Sequence, residues 1–287
     1  MSAVVPGGTS RRARRRVTNA VFVVACGAAA LVALAALALI LWSLIFQGLP
    51  GINLDLFTRS QPAPGSRGGL ANAIVGSLAL CGLAMILALA VGILAGTWLS
   101  EYGGRTRYGH LVRFLNDVLL SAPSILVGLF VYELLVRPFH GFSALAGAAA
   151  LAVIAVPVVT RTTEDILTLQ PAALREAGMA LGATRAFVTR RIIWRAGRAG
   201  LVTAGLLGFA RISGETAPLL FTSLGNQFFS LAPTKPIASL PTTIFQFALS
   251  AYEDWRQLAW SGALLIAAAV LAINIAGRLI TRDTNRP

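Results

Sequence analysis

The stretch from Gly200 to Leu224 has the sequence GLVTAGLLGFARISGETAPLLFTSL and places two opposite charges inside a run long enough to cross a bilayer. An arginine at the centre of a membrane helix costs roughly 2.5–3.5 kcal/mol on insertion scales, so Arg211 and Glu215 need either a partner or a use. Pro218 has no N–H and leaves the carbonyl of Gly214 without its helical partner. Polar groups of this kind are tolerated at membrane depth only against protein or a water-filled cavity. The stretch therefore predicts part of a transport path.

The composition of the chain indicates an integral membrane protein. Of its 287 residues, 56% are hydrophobic and only 12% are charged, and the mean hydropathy is +0.74, unlike ordinary soluble domains. The net charge of +13 would favour nucleic-acid binding in a soluble protein. Here almost all the basic residues are arginines in short connections between apolar runs, which is typical of topology signals in membrane proteins. We therefore expect contact with membrane lipid and no nucleic-acid partner.

Six apolar runs are each near the length that a tilted transmembrane helix needs. They are Val21–Phe46, Ala71–Leu99, Leu111–Val136, Phe142–Val159, Gly200–Leu224 and Leu258–Ile280. The first is about twice as long as the apolar part of a signal peptide, so we expect an uncleaved first span. The sequence predicts an all-α integral membrane protein with six transmembrane helices. Its parts are a basic tail (1–20), a first helix with its outer loop (21–70), a transmembrane domain (71–280) with a cytoplasmic loop at about 160–198, and a second tail (281–287).

The distribution of basic residues predicts the orientation in the membrane. The two tails and the connections on one side hold seventeen arginines, and the connections on the other side hold five basic residues. Since basic residues are retained in the cytoplasm, both termini and the loop 160–198 are predicted to be cytoplasmic. The longer connections 47–70 and 225–257 are predicted to be ordered loops or re-entrant segments on the outer face, where a soluble partner could dock.

Charges, prolines and glycines within the other runs have ordinary structural explanations. Arg113 and Asp117, near the cytoplasmic start of the third run, are four residues apart, as are Glu133 and Arg137 near its outer end. Both pairs are predicted to form i,i+4 ion pairs near an interface.

Prolines and glycines predict how the runs bend and pack. Pro123 and Pro157 are expected to kink the third and fourth helices. Gly92 and Gly96 have the G-x-x-x-G spacing that favours close approach of a neighbouring helix. These features shape a helical bundle and do not by themselves indicate a site.

The pair Arg211 and Glu215 differs because it lies a dozen or more residues inside its run, roughly 18 Å along a helix axis and thus near the midplane. We predict that these two side chains, with the hydroxyls of Ser213 and Thr216, lie on the substrate path. The alternative is a salt bridge that only braces helices, although Arg before Glu is the weaker i,i+4 orientation for stabilising one.

The cytoplasmic loop carries a second signal. After Pro171, residues 172–185 have the sequence AALREAGMALGATR and predict a short helix, a break at Gly182 and another helix to about Arg195. Small residues along the first of these helices suit an element that docks in a groove. The alternative is a solvated amphipathic connector.

The spelling of that loop resembles a known motif. Glu176, Ala177 and Gly178, followed four residues later by Gly182, are similar to the EAA loop (E-A-A-x-x-x-G) of ATP-binding-cassette importer permeases. Gly replaces Ala at the third position, and Trp194 stands where many members carry a proline. In that family the loop fits a cleft on the ATPase subunit, so the resemblance implies that these four residues contact an ATPase.

Four further stretches narrow the resemblance. RTTE at 161–164, NDVLLSAPSI at 116–125, ARISGETAPLLFT at 210–222 and PIASLPTTIF at 236–245 together resemble the PstA-type permeases of bacterial phosphate importers, over about residues 70–280. The resemblance implies a six-helix type I importer permease in the bacterial inner membrane. It implies a substrate path with Arg211, Glu215, Ser213, Thr216 and Arg161. It also implies the partners: a homologous second permease, two ATPase subunits and an extracytoplasmic phosphate-binding protein.

The sequence also indicates that another subunit hydrolyses the ATP that drives transport. A Walker A loop needs Gly-Lys-Ser or Gly-Lys-Thr, and the only lysine, Lys235, is followed by Pro236. His110 and His140 lie near opposite ends of the third run, so no catalytic set or metal site is expected. We expect no enzyme activity and no cofactor in this chain, with ATP and Mg bound by the partner ATPase.

Two other functions remain open from the sequence. One is transport of another oxyanion, such as sulfate, molybdate or phosphonate. Protonated phosphate can donate a hydrogen bond to Glu215 whereas fully ionised sulfate cannot, which favours phosphate. The other is a non-transporting scaffold or sensor subunit, which would leave Arg211 and Glu215 unused.

Overall fold

The computed structural model describes residues 8–104 and 106–283, and every regular element in that part of the chain is helical. The helices are α1 (Gly8–Gly48), α2 (Leu54–Thr58), α3 (Ala71–Glu101), α4 (Arg107–Ser121), α5 (Ser124–Val131), α6 (Ala144–Thr168), α7 (Ala172–Ala180), α8 (Arg185–Val188), α9 (Trp194–Ala196), α10 (Arg198–Ser213), α11 (Ala217–Thr222), α12 (Leu240–Ala248) and α13 (Glu253–Asp283). A π-helical stretch at Tyr132–Val136 follows α5, and another at Thr189–Ile193 joins α8 to α9. The ends of the predicted tails, 1–7 and 284–287, and Arg105 lie outside the described residues.

The chain divides into two compact units, Met1–Gln47 and Gly48–Pro287. The described residues of the first unit all belong to α1, whose most apolar 18-residue stretch has a mean hydropathy of 2.7 and no buried residue. An apolar helix of this length without a polar face is typical of a membrane span. This helix contains the predicted first span, Val21–Phe46.

By length and composition, four described helices could cross a membrane: α1, α3, α6 and α13. The pair α4 and α5, with the π-helical stretch to Val136, makes a fifth if it counts as one span, although it is bent by 104° at the break. The predicted fifth run, Gly200–Leu224, is divided between α10, with 16 residues, and α11, with 6. The all-helical membrane fold is confirmed, while the count of six and the cytoplasmic position of the termini stay predictions.

Proline explains both broken runs. Ala122 precedes Pro123 and is extended, with φ −67° and ψ 134°, because the ring of a following proline disfavours the helical conformation. In the second break, α10 ends at Ser213, and Pro218 lies in the first turn of α11, where its missing N–H has no cost. The prediction that Pro218 disturbs the helix four residues earlier is confirmed, and the disturbance is a full interruption.

The centre of the second unit is formed by α3 packed closely against α6. A Cβ atom added at Gly92 would lie 2.8 Å from the Cβ of Val159, and one added at Gly96 would lie 2.6 Å from the carbonyl oxygen of Thr160. Only glycine permits this approach of the two backbones. The prediction of close packing at the G-x-x-x-G spacing is confirmed.

Hydrogen bonds hold both connections that the sequence predicts on the outer face, 47–70 and 225–257. The side-chain amide of Asn72, at the start of α3, donates to the carbonyl oxygens of Asn226 and Gln227 at 2.9 and 3.1 Å. Gln61 donates to the hydroxyl of Thr243 in α12 at 2.6 Å. Both connections are therefore ordered, as the sequence predicted.

One predicted ion pair is confirmed and one is wrong. Arg137 Nη1 lies 2.7 Å from Glu133 Oε2, in an exposed i,i+4 pair. Arg113 does not pair with Asp117; its Nε lies 2.6 Å from Glu164 Oε1 on α6. The local pairing loses because Glu164 is a buried carboxylate, and a buried charge needs its partner more than an exposed one does.

Candidate substrate path and coupling loop

The break between α10 and α11 brings the two charges of the predicted path together. Arg211 lies in the last turn of α10 and its Nη1 donates to Oε1 of Glu215, which lies in the connection to α11. The Glu215 side chain is 10% exposed, whereas that of Arg211 is 48% exposed. A cation is also favoured at the C-terminal end of a helix, where carbonyl groups lack partners. The result is a buried carboxylate that holds a half-exposed guanidinium.

The hydroxyls beside this pair have different surroundings. Ser213 Oγ donates to the carbonyl of Ala210 at 3.1 Å, and the residue also lines an apolar cavity of about 190 Å³ between α3, α10 and α13. The carbonyl of Thr216 accepts the N–H of Leu219 at 3.1 Å and so begins α11, while the residue is half-buried. The Thr216 side chain makes no capping hydrogen bond to α11, whereas the Ser213 hydroxyl is bonded to its own helix.

Arg161 lies apart from this pair. It is on α6, where its Nε is 3.5 Å from Oδ2 of Asp165 one turn later, and both side chains are about half-exposed. No contact with Arg211 or Glu215 is present among the described residues. Its predicted place on the substrate path rests on the family resemblance alone.

Sequence reasoning overlooked Glu164, which lies three residues after Arg161. It is buried and bonded to Arg113, whose guanidinium also donates to the carbonyls of Leu99 at 3.4 Å and Gly104 at 3.2 Å. This ion pair joins α4, α6 and the end of α3. A carboxylate at the end of an apolar run was the available signal, but its partner lies 51 positions away in sequence.

The predicted coupling segment forms a tight helical hairpin. α7 ends before Gly182, which has φ +78°, a conformation that favours glycine, and α8 starts with Thr184 as its cap. Gly178 is buried against the second arm, where an added Cβ would lie 2.8 Å from Val188 Cγ2 and 2.9 Å from Ile192 Cδ1. The glycine that departs from the EAA motif is therefore required by the packing of this hairpin.

The opposite face of α7 is open. Glu176 and Ala177 are exposed, and so are Met179 and Leu181, at 48% and 89%. A Cβ added at Gly182 would meet no atom within 4 Å. The four residues of the predicted ATPase contact are thus divided: Gly178 supports the hairpin from inside, and Glu176, Ala177 and Gly182 are accessible.

A buried ion pair that the sequence did not reveal fastens this hairpin to the bundle. Arg175 Nη2 lies 2.6 Å from Oε1 of Glu101, the last residue of α3. The same guanidinium donates to the carbonyls of Leu167 at 2.7 Å and Gln170 at 2.8 Å. Arg185 donates to the carbonyl of Glu101. We call these contacts the latch; they tie both arms of the hairpin to the end of α3.

Comparison with known proteins assigns this fold to a class. A family model described as "Binding-protein-dependent transport system inner membrane component" matches residues 88–286. A chain of the MetNI methionine ABC transporter, in an inward-facing conformation, superposes with a TM-score of 0.64 and 19% identity, covering 75% of this chain and 95% of that one. A chain of an amino acid ABC transporter gives a TM-score of 0.53 at 18% identity, covering 73% and 92%. The protein is an inner-membrane permease of the ABC importer class and crosses the membrane several times.

Sequence relatives narrow the class. The phosphate transport system permease protein PstA of Haemophilus influenzae is 52% identical over 240 residues, which are 84% of this chain and 85% of that protein. PstA of Xylella fastidiosa is 50% identical over 93% of both chains, and a probable PstA of Methanocaldococcus jannaschii is 37% identical over 94% and 95%. The chain belongs to the PstA family of permeases, which confirms the resemblance found in its sequence.

Proposed function

We propose that this chain is the membrane permease subunit of an ATP-driven importer of inorganic phosphate. The observation that carries the proposal is the buried Glu215 carboxylate holding the half-exposed Arg211 at the interruption between α10 and α11. The names of relatives at about half identity support phosphate as the substrate. Half of the path would come from this chain and half from a homologous permease.

Arg211 is suited to a phosphate oxyanion that crosses the membrane. A guanidinium offers planar, forked donors that match phosphate, and it stays charged at any working pH. Its contact with Glu215 uses one Nη1 donor, and nearly half of the side chain is exposed. An arriving anion can therefore bond to the remaining donors without first breaking a buried ion pair.

Glu215 limits the strength of that interaction. When the path is empty, its carboxylate compensates the Arg211 charge; when the path is occupied, it accepts a hydrogen bond from protonated phosphate. Conduction needs binding that is weak enough for release, so one arginine offset by one carboxylate suits passage better than a cluster of positive charge. Sulfate has no proton to donate to Glu215 at neutral pH and is expected to pass poorly.

Energy would enter through the hairpin of the cytoplasmic loop. The open face of α7, with Glu176 and Ala177, and the accessible turn at Gly182 are available to a partner that binds ATP and Mg. Movement of the hairpin would reach the bundle through the latch between Arg175 and Glu101. The full importer would contain two ATPase subunits and an outer phosphate-binding protein that docks on the ordered connections 47–70 and 225–257.

The path assignment is tested by replacing Arg211 with Gln in the assembled importer. Losing a charge-assisted contact is worth about 1.5–3 kcal/mol, so phosphate uptake in proteoliposomes should fall by at least about ten-fold while the complex still assembles. Exchanging the charges (Arg211→Glu with Glu215→Arg) should not restore uptake. The matched control is Arg137→Gln, which removes the arginine of another i,i+4 Arg–Glu pair and should leave uptake unchanged.

Two outcomes would contradict the path assignment. Full uptake by an assembled Arg211→Gln complex would remove Arg211 from the path. Poor assembly of Arg211→Gln, restored by the charge exchange, would show that the pair only braces helices. Competition by sulfate against radiolabelled phosphate in the same vesicles tests the substrate: equal competition would favour a general oxyanion permease.

A further inference from the structure

We propose that the cytoplasmic loop contains a binding site for the headgroup of an anionic phospholipid. The site is an open pocket with a volume of about 630 Å³, which we call the basic pocket. Its lining residues are Thr184, Ala186, Phe187, Arg190, Arg191, Trp194 and Arg195. It lies on α8, α9 and the π-helical stretch between them, on the arm of the hairpin that does not carry the EAA-like residues. The proposed substrate path and the proposed ATPase contact consist of other residues.

The arginines of the basic pocket form no ion pair with the described residues of the chain. Arg190, Arg191 and Arg195 are exposed, and within the described part of the chain none of them pairs with a carboxylate. The other arginines of this hairpin, Arg175 and Arg185, are engaged in the latch. Three uncompensated guanidiniums around one concavity attract an anion and match phosphate oxygens in particular.

The apolar surroundings of the basic pocket identify the source of that phosphate. Arg190 and Trp194 also line an adjoining groove of about 350 Å³ whose opposite wall is Leu94 and Trp98 of α3. Leu94 is 63% exposed and Trp98 is 39% exposed, near the end of an apolar helix long enough to cross the membrane. A headgroup in the basic pocket would place its acyl chains along this wall. Inorganic phosphate has no group that would cover it.

The pocket is also held beside the end of α3, a helix long and apolar enough to cross the membrane. The indole Nε1 of Trp194 donates to the hydroxyl of Thr97 on α3 at 3.1 Å, which fixes the arginine-bearing arm beside the last turns of α3. Tryptophan is enriched where hydrocarbon meets headgroups, and here two tryptophans, Trp98 and Trp194, line one groove. Basic pockets beside membrane helices on the cytoplasmic side are suited to anionic lipid headgroups.

The test measures lipid retention by the purified importer, with its ATPase subunits present. The complex is extracted into detergent with equal amounts of phosphatidylglycerol and phosphatidylcholine, and native mass spectrometry reports which lipid stays bound. The test variant changes Arg190, Arg191 and Arg195 to Gln together. Each basic residue near an anionic surface contributes about a factor of five, so retention of phosphatidylglycerol should fall by at least roughly ten-fold.

Two control variants separate position from charge. Arg59, Arg67 and Arg256 changed together to Gln alter the net charge equally but lie in connections predicted to be on the outer face, and this variant should retain phosphatidylglycerol as the wild type does. Lysine at all three pocket positions keeps the charge and should restore most of the retention.

Three results would overturn the proposal. Unchanged retention in the glutamine variant would show that the arginines do not hold the lipid. Loss of the ATPase subunits together with the lipid would assign the surface to the protein partner. Binding of inorganic phosphate to a lipid-free complex, lost in the same glutamine variant, would assign it to the free ion. None of these results depends on phosphate uptake, so the transport proposal stands or fails separately.

Discussion

Two Arg–Glu pairs in this molecule have the same chemistry and different surroundings. In the latch, Glu101 is 3% exposed, and Arg175 donates to it and to two backbone carbonyls, which satisfies the guanidinium inside the protein. At the helix break, Arg211 donates to Glu215 only through Nη1 and remains 48% exposed. A saturated pair fixes structure, whereas a partly satisfied and half-exposed guanidinium can bind a ligand with its remaining donors. Donor saturation, more than burial of the carboxylate, distinguishes the two.

The largest expected effect comes from removing the carboxylate of the latch. Glu101→Ala leaves a mostly buried guanidinium unpaired and should lower the free energy of unfolding by about 3–5 kcal/mol. The measurement is thermal melting of the detergent-purified permease. Glu133→Ala, which removes the carboxylate of an exposed pair, should melt as the wild type does. Equal melting of Glu101→Ala and the wild type would show that the latch does not stabilise the fold.

A smaller effect is expected from replacing Arg175 or Arg211 with lysine, which keeps the positive charge and loses the forked pair of donors of the guanidinium. Arg175→Lys cannot reach Glu101 and both carbonyls at once, so it should cost about 1–3 kcal/mol of stability. Arg211→Lys should melt normally and transport phosphate more slowly. Both stability and uptake are measured on the same two preparations. If Arg211→Lys were the destabilised variant and Arg175→Lys the normal one, the comparison between the pairs would be reversed.

The smallest effect on stability is expected at Gly182. Two substitutions there distinguish an effect on folding from an effect on coupling to the ATPase. Any side chain at φ +78° costs roughly 1–2 kcal/mol, so Gly182→Ala and Gly182→Arg should be destabilised alike. Only the arginine places a bulky charge on the accessible turn, and only that variant should lose ATPase co-purification and phosphate uptake. Normal ATPase association in Gly182→Arg would remove this turn from the contact.

The features that sequence predicted well are those governed by local chemistry. Composition and run length identified a helical membrane protein, and Pro218 located the break beside Arg211 because the loss of one N–H acts on the carbonyl four residues earlier. The spacing of Gly92 and Gly96 predicted a close helix contact, because the absence of side chains at these two positions can be seen directly in the sequence.

The features that sequence did not reveal depend on partners far away along the chain. Glu101 and Arg175 are 74 positions apart, and Arg113 bonds to Glu164 across 51 positions in place of nearby Asp117. Local spacing favours the i,i+4 pair with Asp117. The distant carboxylate is buried, however, and leaving a buried charge unpaired costs more free energy than leaving an exposed one unpaired. Which charges are buried is decided by the packing of α3, α4 and α6, and no local pattern contains that information.

The glycine at position 178 has a consequence for how such chains can diverge. It lies against Val188 and Ile192, and a β-branched valine has little freedom to move away from an added methyl group. Replacing Gly178 with alanine therefore requires a smaller residue on the facing arm, so positions 178 and 188 can change only together. Consider a chimera that takes only the first arm of the hairpin from a relative with alanine at this position. The alanine would clash with the facing arm in the core of the hairpin, and the surface that faces the partner would be unaffected.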